Sequence, residues 1–244
     1  MTVTILITRP EPEASSFAQT LRADLGDGVA VLCAPLMRVR WTGEPPRLAG
    51  DETLIFTSRQ GVAGFCRLAA RRDLPCYTVG EATARAARDA GMTAVAGGGD
   101  AEALLRRIAR DGARGPFLHL RGAHVAADIA GTLRAAGHAA RDTVVYEQEP
   151  HPLTDAAQKV LAGTAPVILP LMSPRSGQLF FAQAATPKAP LFIAAISRNT
   201  AQTVPDGAAH VLRVAPTPDA DAIRKLLRDL MKSAKRLEGG KRAQ

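Results

Sequence analysis

Residues 57–61 (TSRQG) place two hydroxyls, a guanidinium, an amide and a glycine between an apolar run and the start of a helical pattern. The apolar run is 54–56, and Val62 and Phe65 follow the turn at helical spacing. This pattern predicts a buried strand, a polar turn and a helix that begins at the strand end. The first amides of a helix lack internal partners and carry the positive end of its dipole, so such a turn suits an anion.

Hydroxyls, arginines and glycines recur at other predicted strand ends. Residues 173–177 (SPRSG) repeat the pattern after a second apolar run, and shorter versions follow elsewhere. The candidate binding residues are Thr8, Arg9, Thr57, Ser58, Arg59, Gln60, Gly61, Gly80, Glu81, Ala82, Thr83, Arg121, Gly122, Ser173, Arg175, Ser176, Gly177, Ser197, Asn199 and Thr200. Helix capping alone is the alternative interpretation for each serine and threonine. The repeated arginines favour a ligand that carries carboxylates or phosphates.

The chain contains an internal repeat with offsets of 112 to 119 residues. The motif pairs, in the same order in both halves, are Arg9 and Arg121, Ser58 and Ser173, Thr83 and Thr200, and Asp100 and Asp219. Offsets of this length exceed those of solenoid repeats, so we predict two domains. Alternating strands and helices predict parallel sheets with ligands at the carboxyl ends of the strands. We expect both sets of strand ends to face a shared gap that holds one large polyanion.

Composition narrows the class of protein. The 244 residues are 46% hydrophobic, contain no run long enough to span a membrane and show no basic leader before the first strand, so a cytoplasmic protein is expected. Cys33, Cys66 and Cys76 lack the spacing of a disulfide framework or a zinc site, and the five histidines lack metal-ligand spacing. We therefore expect no metal.

The formal charge of +8 is divided between the body of the chain and its C-terminus. Residues 232–244 hold five basic residues and one glutamate, which leaves +4 on the rest. We expect residues 233–244 to be a disordered basic tail. The body is only modestly basic and poor in aromatic residues, which argues against nucleic acid. A hinged two-domain anion-binding protein without chemistry and a nucleic-acid-binding module that uses the tail are the alternatives from other classes.

No turn matches a common cofactor loop. The first predicted strand ends in Thr8-Arg9-Pro10 instead of the dinucleotide-binding motif G-x-G-x-x-G. The glycines at 97–99 lack the Lys-Ser/Thr pair of a phosphate-binding loop, so a tight turn into a helix capped by Asp100 is the simpler interpretation.

Together, these motifs resemble the uroporphyrinogen-III synthase family. They are residues 8–10 (TRP), 56–62 (FTSRQGV), 79–84 (VGEATA), 120–122 (LRG), 144–147 (VVYE), 173–177 (SPRSG) and 197–201 (SRNTA). Each motif is short, but their order and spacing over nearly all of residues 3–230 are specific.

The resemblance implies an α/β fold of two flavodoxin-like parallel-sheet domains joined by a two-stranded β-ladder. Domain one would comprise residues 1–35 and 150–232, domain two residues 42–142, and the crossing strands would lie near 33–39 and 143–149. The resemblance also implies a cofactor-free lyase of the cytosol. We expect it to be a monomer that transiently contacts hydroxymethylbilane synthase.

The implied substrate is hydroxymethylbilane, a linear tetrapyrrole with eight carboxylates. It loses its terminal hydroxyl, inverts ring D through a spiro intermediate and closes to uroporphyrinogen III, and a general acid would assist loss of the hydroxyl. The family's candidate acid is a tyrosine shortly after the SPSG-like turn, where this chain has Phe180. Tyr146 is the remaining phenol candidate, although its extended segment is typical of a packed aromatic residue. A water molecule or a substrate carboxyl is the alternative donor, so the catalytic residue is not assigned.

Overall fold

The computed structural model describes residues 3–26, 29–125, 127–184 and 186–242. Strands and helices alternate along most of this length. In chain order they are β1 (Thr4–Ile7), α1 (Glu13–Leu25), β2 (Ala30–Cys33), β3 (Met37–Trp41), β4 (Thr53–Phe56), α2 (Arg59–Leu68), β5 (Pro75–Thr78), α3 (Glu81–Asp89), β6 (Thr93–Ala96), α4 (Ala101–Arg110), β7 (Phe117–Gly122), α5 (Ile129–Ala135), β8 (Ala140–Pro150), α6 (Asp155–Ala162), β9 (Val167–Leu171), α7 (Pro174–Gln183), β10 (Leu191–Ala195), α8 (Arg198–Ala201), β11 (Val211–Val214) and α9 (Ala220–Arg242).

Two compact units divide the chain. The first unit comprises Met1–Arg38 and Glu149–Gln244, and the second comprises Val39–Gln148. The first unit is therefore discontinuous in sequence, because the chain enters the second unit within β3 and leaves it within β8.

The first unit contains a parallel sheet in the order β11-β10-β9-β1-β2. Alternate residues of a strand point to opposite faces, and helices cover both faces, so the strands are apolar throughout. On one face Ile7 belongs to the same core as Phe17 of α1 and Leu227 of α9. On the other face Leu6 belongs to the same core as Phe180 of α7.

The second unit contains a sheet in the order β3-β8-β7-β4-β5-β6, parallel from β8 to β6. Phe56 at the end of β4 packs against Phe65 of α2, with 6.0 Å between ring centroids. On the opposite face Ile55 shares a core with Leu104 of α4 and Leu133 of α5. This packing fixes the N-terminus of α2 at the carboxyl end of β4.

Strand β3 departs from the parallel arrangement. The Thr42 N–H donates to the carbonyl of Val145, and the His151 N–H donates to the carbonyl of Leu36. Residue numbers therefore fall along β8 as they rise along β3, so the two strands are antiparallel. Pro35 lies between β2 and β3 and separates them, because its nitrogen has no hydrogen to donate to a ladder.

Helix α9 extends beyond the end that the sequence indicated. Residues 233–242, expected to be a disordered tail, continue the helix because Ala234 is buried in the core of the first unit and Leu237 packs against that core. Residues 243 and 244 of the predicted tail lie outside the described residues. Among the helices described, none is both long and apolar enough to cross a membrane.

Candidate functional site

Three neighbouring strands of the second unit, β7, β4 and β5, end at one edge of their sheet. The end of β7 carries Arg121 and Gly122, the end of β4 is followed by residues 57–61, and the end of β5 is followed by residues 80–83. The structure therefore brings these predicted residues together at adjoining strand ends, the usual place for ligands in parallel sheets.

Ser58 is the N-cap of helix α2. Its backbone is extended, and its Oγ accepts the N–H of Gly61 at 3.0 Å. A Cβ atom on Gly61 would lie 2.7 Å from the carbonyl oxygen of Leu120, so close packing of α2 on β7 requires glycine there. Arg59 and Gln60 form the first turn of α2, at the positive end of its dipole.

A cavity of about 350 Å³ lies at this edge of the second unit. Thr57, Ser58, His119, His124 and Tyr146 line it. Small-molecule sites usually measure about 300–1,000 Å³. The cavity therefore suits one substituted ring better than a large molecule.

A β-bulge and a glycine place Tyr146 at this cavity. Arg121 pairs with Val144, whereas Gly122 pairs with Tyr146, so Val145 is an extra residue in β8. Such bulges change the direction of side chains. A Cβ atom on Gly122 would lie 2.6 Å from Cζ of Tyr146, so the ring occupies space that only glycine leaves open.

The hydroxyl of Tyr146 meets the cap of α2. Its Oη lies 3.0 Å from Oγ of Ser58, and the residue is 9% exposed. The ring does contribute to the core, as an aromatic residue in an extended segment is expected to do. Its hydroxyl nevertheless reaches the strand end, which places a phenol among the predicted binding residues.

His119 is a cavity residue that the sequence analysis did not select. It is buried, and burial, assisted by the charge of Arg121, lowers the pKa of its imidazole to about 4. Its Nε2 lies 3.5 Å from Oγ1 of Thr57. A histidine inside the apolar run 117–120 was the available signal. Within the residues described, no group of three histidine, cysteine or acidic side chains could hold a metal ion.

Two charged residues predicted to contact a ligand have protein partners. Arg121 Nε donates to Oδ2 of Asp142 at 2.6 Å, and Arg88 Nη1 donates to Oε1 of Glu81 at 2.6 Å. These ion pairs hold both side chains beside the strand ends.

The N-terminus of α3 is built differently from that of α2. Gly80 occupies the cap position, and no side chain caps the helix. Glu81 and Ala82 begin the first turn, and the Thr83 N–H donates to the carbonyl of Gly80 at 3.1 Å. The Thr83 side chain is buried.

The first unit repeats this arrangement at β1, β9 and β10, which are neighbours. Their carboxyl ends are followed by Thr8 and Arg9, by residues 173–177 and by residues 197–200. The paired motifs that the sequence offsets indicated therefore follow corresponding strands in the two units.

Serines cap two of the helices at these strand ends. Ser173 and Ser176 form a capping box, in which Oγ of Ser173 accepts the Ser176 N–H at 3.1 Å and the Ser173 N–H donates to Oγ of Ser176 at 3.2 Å. Ser197 Oγ accepts the Thr200 N–H at 3.3 Å. These hydroxyls already serve the helix termini.

The remaining turn residues of the first unit differ in exposure. Asn199 is exposed and Arg175 is half-buried. Gly177 is buried, and a Cβ atom there would lie 2.0 Å from Oγ1 of Thr203. Close packing therefore requires glycine at position 177.

Thr8 stands out among the predicted residues. It is 1% exposed, and within the described residues its Oγ1 has no hydrogen-bond partner. Buried hydroxyls normally find a partner. The next residue, Arg9, holds its guanidinium over the ring of Phe17, 5.7 Å from the centroid.

The two tyrosines of the chain have different surroundings. Tyr77 donates to Asp111 at 3.0 Å, and burial together with this carboxylate raises the pKa of Tyr77 to about 12. Tyr146 lies at the cavity. Phe180, where the resemblance led us to expect the family's tyrosine, is fully buried in the core of the first unit and has no proton to donate.

A comparison with protein-family models identifies one family. The sequence matches a protein-family model described as HEM4, uroporphyrinogen-III synthase HemD, over residues 15–225. No curated protein matches it in sequence.

Two solved structures are similar in fold. Uroporphyrinogen-III synthetase from Helicobacter pylori has 17% sequence identity and a TM-score of 0.66, over 94% of this chain and 100% of that one. A mutant uroporphyrinogen III synthase from the extremely thermophilic bacterium Thermus thermophilus has 15% identity and a TM-score of 0.54, over 96% and 99% of the two chains. At these identities the likeness concerns the fold alone.

Proposed function

The chain belongs to the uroporphyrinogen-III synthase family, and from this premise we propose that it is the cyclising lyase of tetrapyrrole biosynthesis that converts hydroxymethylbilane into uroporphyrinogen III. The reaction removes water, inverts ring D and closes the macrocycle. The observation that carries the proposal is the family match over residues 15–225 of a 244-residue chain.

We propose further that each unit is a flavodoxin-like domain and that β3 and β8 form the linking ladder. In the first unit the order β2-β1-β9-β10-β11 follows the flavodoxin order 2-1-3-4-5. In the second unit β8-β7-β4-β5-β6 follows the same order if counting begins at β7. The chain thus uses one topology twice, with the second copy circularly permuted.

The strand-end residues of both units are proposed to bind the substrate carboxylates. The helices that begin after β4, β5, β9 and β10 present amides and hydroxyls at these ends, and arginines lie beside them. Backbone amides at helix N-termini and guanidinium groups are the usual partners of carboxylates. Because eight carboxylates share many donors, each donor contributes modestly.

Catalysis is proposed to consist largely of orientation. Once the hydroxyl has left, the bilane is a reactive azafulvene that closes spontaneously to the uninverted isomer I. The protein must therefore hold both chain ends so that the substituted carbon of ring D attacks, an effect of position. We expect this chemistry to need no cofactor.

The spontaneous closure of the substrate also suggests how the enzyme receives it. A substrate that closes in free solution favours quick transfer from its producer, so we propose that the enzyme transiently contacts hydroxymethylbilane synthase. We also propose that it is monomeric and cytoplasmic. Size-exclusion chromatography without and with that synthase would test the monomeric state and the contact.

Freshly prepared hydroxymethylbilane tests the activity directly. The protein is incubated with it, the products are oxidised to porphyrins, and isomers I and III are resolved by chromatography. We expect isomer III to dominate, whereas a parallel incubation without protein gives isomer I. Isomer I alone in both incubations would refute the proposal and favour a binding protein without chemistry.

A further inference from the structure

We propose that the buried imidazole of His119, paired with the hydroxyl of Thr57, binds the N–H of a substrate pyrrole, so that the cavity of the second unit admits the ring and not its carboxylates. This inference rests on the proposed function and deepens it by separating two kinds of contact. Acceptors inside the cavity hold a ring, while helix amides and arginines at the other strand ends hold the carboxylates.

His119 occupies a position that packing alone would give to an apolar residue. It lies on β7 between Leu118 and Leu120, which point to the opposite face and are buried in the core beneath α2. Phe117, two residues earlier and on the same face as His119, is buried in the other core of this unit. His119 is itself only 2% exposed. Burying a polar ring costs free energy unless the ring is hydrogen-bonded.

The protein satisfies this imidazole poorly. Within the described residues, its one hydrogen-bonding contact is the 3.5 Å approach of Nε2 to Oγ1 of Thr57. That distance is long, because N–H···O bonds in proteins usually measure about 2.7–3.2 Å. Buried polar groups are normally well bonded, so an exception calls for an explanation. The imidazole therefore has bonding capacity left for a molecule in the cavity that it lines.

Other polar groups at the cavity are better satisfied. The hydroxyls of Ser58 and Tyr146 lie 3.0 Å apart, and Oγ of Ser58 also accepts a backbone N–H at 3.0 Å. Oδ1 of Asp100 accepts a backbone N–H at 2.7 Å as the cap of α4. His119 and Thr57 are therefore the pair from which a ligand gains most.

This pair offers an acceptor whichever imidazole nitrogen carries the proton. If Nε2 of His119 carries it and donates to Thr57, then Nδ1 and one lone pair of Oγ1 remain free. If Nδ1 carries it, Nε2 accepts the hydroxyl of Thr57, and both lone pairs of Oγ1 remain free. A buried acceptor suits an N–H donor, and each pyrrole of the bilane carries one.

The charge state of His119 argues against a carboxylate as its partner. Burial contributes most, and Arg121 next, to a pKa of about 4, whereas the smaller effects of Asp142 and Asp128 act in the opposite direction. The imidazole is therefore neutral near neutral pH and has no positive charge with which to attract an anion.

The rest of the cavity is equally unsuited to a carboxylate. Of the described residues that line it, none is a lysine or an arginine, and Asp100 brings a carboxylate of its own. Arg121, at the end of β7, is paired with Asp142 at 2.6 Å. Val79 and Ile129 add apolar walls, which suit the faces of a ring. The volume of about 350 Å³ agrees with a single substituted pyrrole.

The first experiment removes the imidazole nitrogens and keeps a flat ring. We expect His119→Phe to lower kcat/KM for isomer III formation by about 5- to 100-fold, chiefly through KM, because a buried pyrrole N–H would then lack an acceptor. His119→Gln and His119→Asn restore an acceptor oxygen, and the better of the two should be at least about threefold more active than His119→Phe.

The matched control is a second histidine of the same unit. His138 makes its hydrogen-bonding contact with the carbonyl of Arg114, away from the cavity, and His138→Phe is expected to keep more than about half of the activity. A His119→Phe enzyme within about twofold of wild type would overturn the proposal. Amide variants no more active than His119→Phe would overturn it as well.

The second experiment separates substrate contact from structural support. A single pyrrole that bears one acetate and one propionate is titrated into protein whose histidines carry nitrogen-15, and the imidazole signals are recorded by NMR. The His119 signals, identified by their absence from His119→Phe, should shift. The N-methyl derivative of this pyrrole lacks the donor and should bind at least about fivefold more weakly without that shift. Equal binding of the two pyrroles with unchanged His119 signals would assign His119 a structural role and overturn the proposal.

A third titration tests whether the cavity takes carboxylates. Glutarate carries two carboxylates and no ring, and we expect it to leave the His119 signals unchanged. A shift with glutarate as large as that with the pyrrole would show that the cavity binds carboxylates, against the proposal.

The two proposals fail in distinguishable ways. If the wild-type protein yields only isomer I from hydroxymethylbilane, the synthase function itself is wrong. If the wild type yields isomer III and His119→Phe does so with similar kcat/KM, the function stands and the pyrrole N–H is bound elsewhere.

Discussion

The Nε2 atom of His119 lies 3.5 Å from Oγ1 of Thr57, where the core of the second unit borders the cavity. Burial, and to a smaller extent the charge of Arg121, lowers the pKa of this histidine to about 4. The folded protein therefore holds the imidazole neutral over a pH range in which the unfolded chain protonates it.

This difference predicts an acid-sensitive stability. Between about pH 6.5 and pH 4 the unfolded chain binds a proton at His119 that the folded chain does not, so the contribution is complete above pH 6.5 and is lost as the pH falls. At pH 5 the free energy of unfolding should be about 2 kcal/mol lower from this residue. Urea unfolding of wild type and His119→Gln at pH 7.5 and 5 measures it. Equal losses in both proteins would contradict the prediction.

Removing a capping serine should lower stability slightly and activity modestly. Ser58→Ala and Ser173→Ala should each lower the free energy of unfolding by about 1 kcal/mol. Each should slow isomer III formation about 3- to 30-fold, because binding is shared among many donors. Thr154→Ala is the control, since Thr154 caps α6 through the Ala157 N–H at 3.2 Å but is not a predicted site residue. Complete loss of activity in either serine variant would contradict shared binding.

The sequence predicted the caps because their causes are local. Ser58 and Ser173 each follow an apolar run and precede a helical pattern, and each accepts the N–H of the residue three positions on. The parallel sheets followed from the alternation of elements, and the matching turns followed from the repeat. These features depend on residues close together in the chain.

The contact between Tyr146 and Ser58 could not be predicted in the same way. It depends on the register of β8 against β7, and the single extra residue Val145 decides which side chain turns to the cavity. The length of α9 was likewise missed, because Ala234 is buried against residues of the first unit that lie far from it in the sequence. Such features arise from residues far apart in the sequence.

A tyrosine introduced at position 180 should not act as a general acid. Phe180 is fully buried among apolar side chains, so the hydroxyl of Phe180→Tyr would lose its hydration. We expect the free energy of unfolding to fall by about 1–3 kcal/mol and the rate of isomer III formation not to rise. Phe181→Tyr, at the half-buried neighbour, is the control and should change stability by less than about 0.5 kcal/mol. A rate increase above about twofold in Phe180→Tyr would show that a phenol at position 180 can act as the general acid.

Removing the hydroxyl of Thr8 should raise stability and lower activity. It is 1% exposed at the carboxyl end of β1, and its Oγ1 has no partner within the part of the chain that the structure describes. Thr8→Val keeps the branched shape and removes the oxygen, so the free energy of unfolding should rise by about 1 kcal/mol. Because we propose that this hydroxyl donates to a substrate carboxylate, isomer III formation should slow about 3- to 30-fold.

Two measurements on the same strand decide this prediction. Thr4→Val changes a threonine at the amino end of β1 and is expected to leave activity unchanged. Urea unfolding gives the stability of each variant, and steady-state kinetics on hydroxymethylbilane gives the activity. A more stable Thr8→Val with full activity would remove Thr8 from the binding site. A less stable Thr8→Val would show that the hydroxyl is hydrogen-bonded in the free protein, because replacing it by a methyl group would then leave its partner unsatisfied.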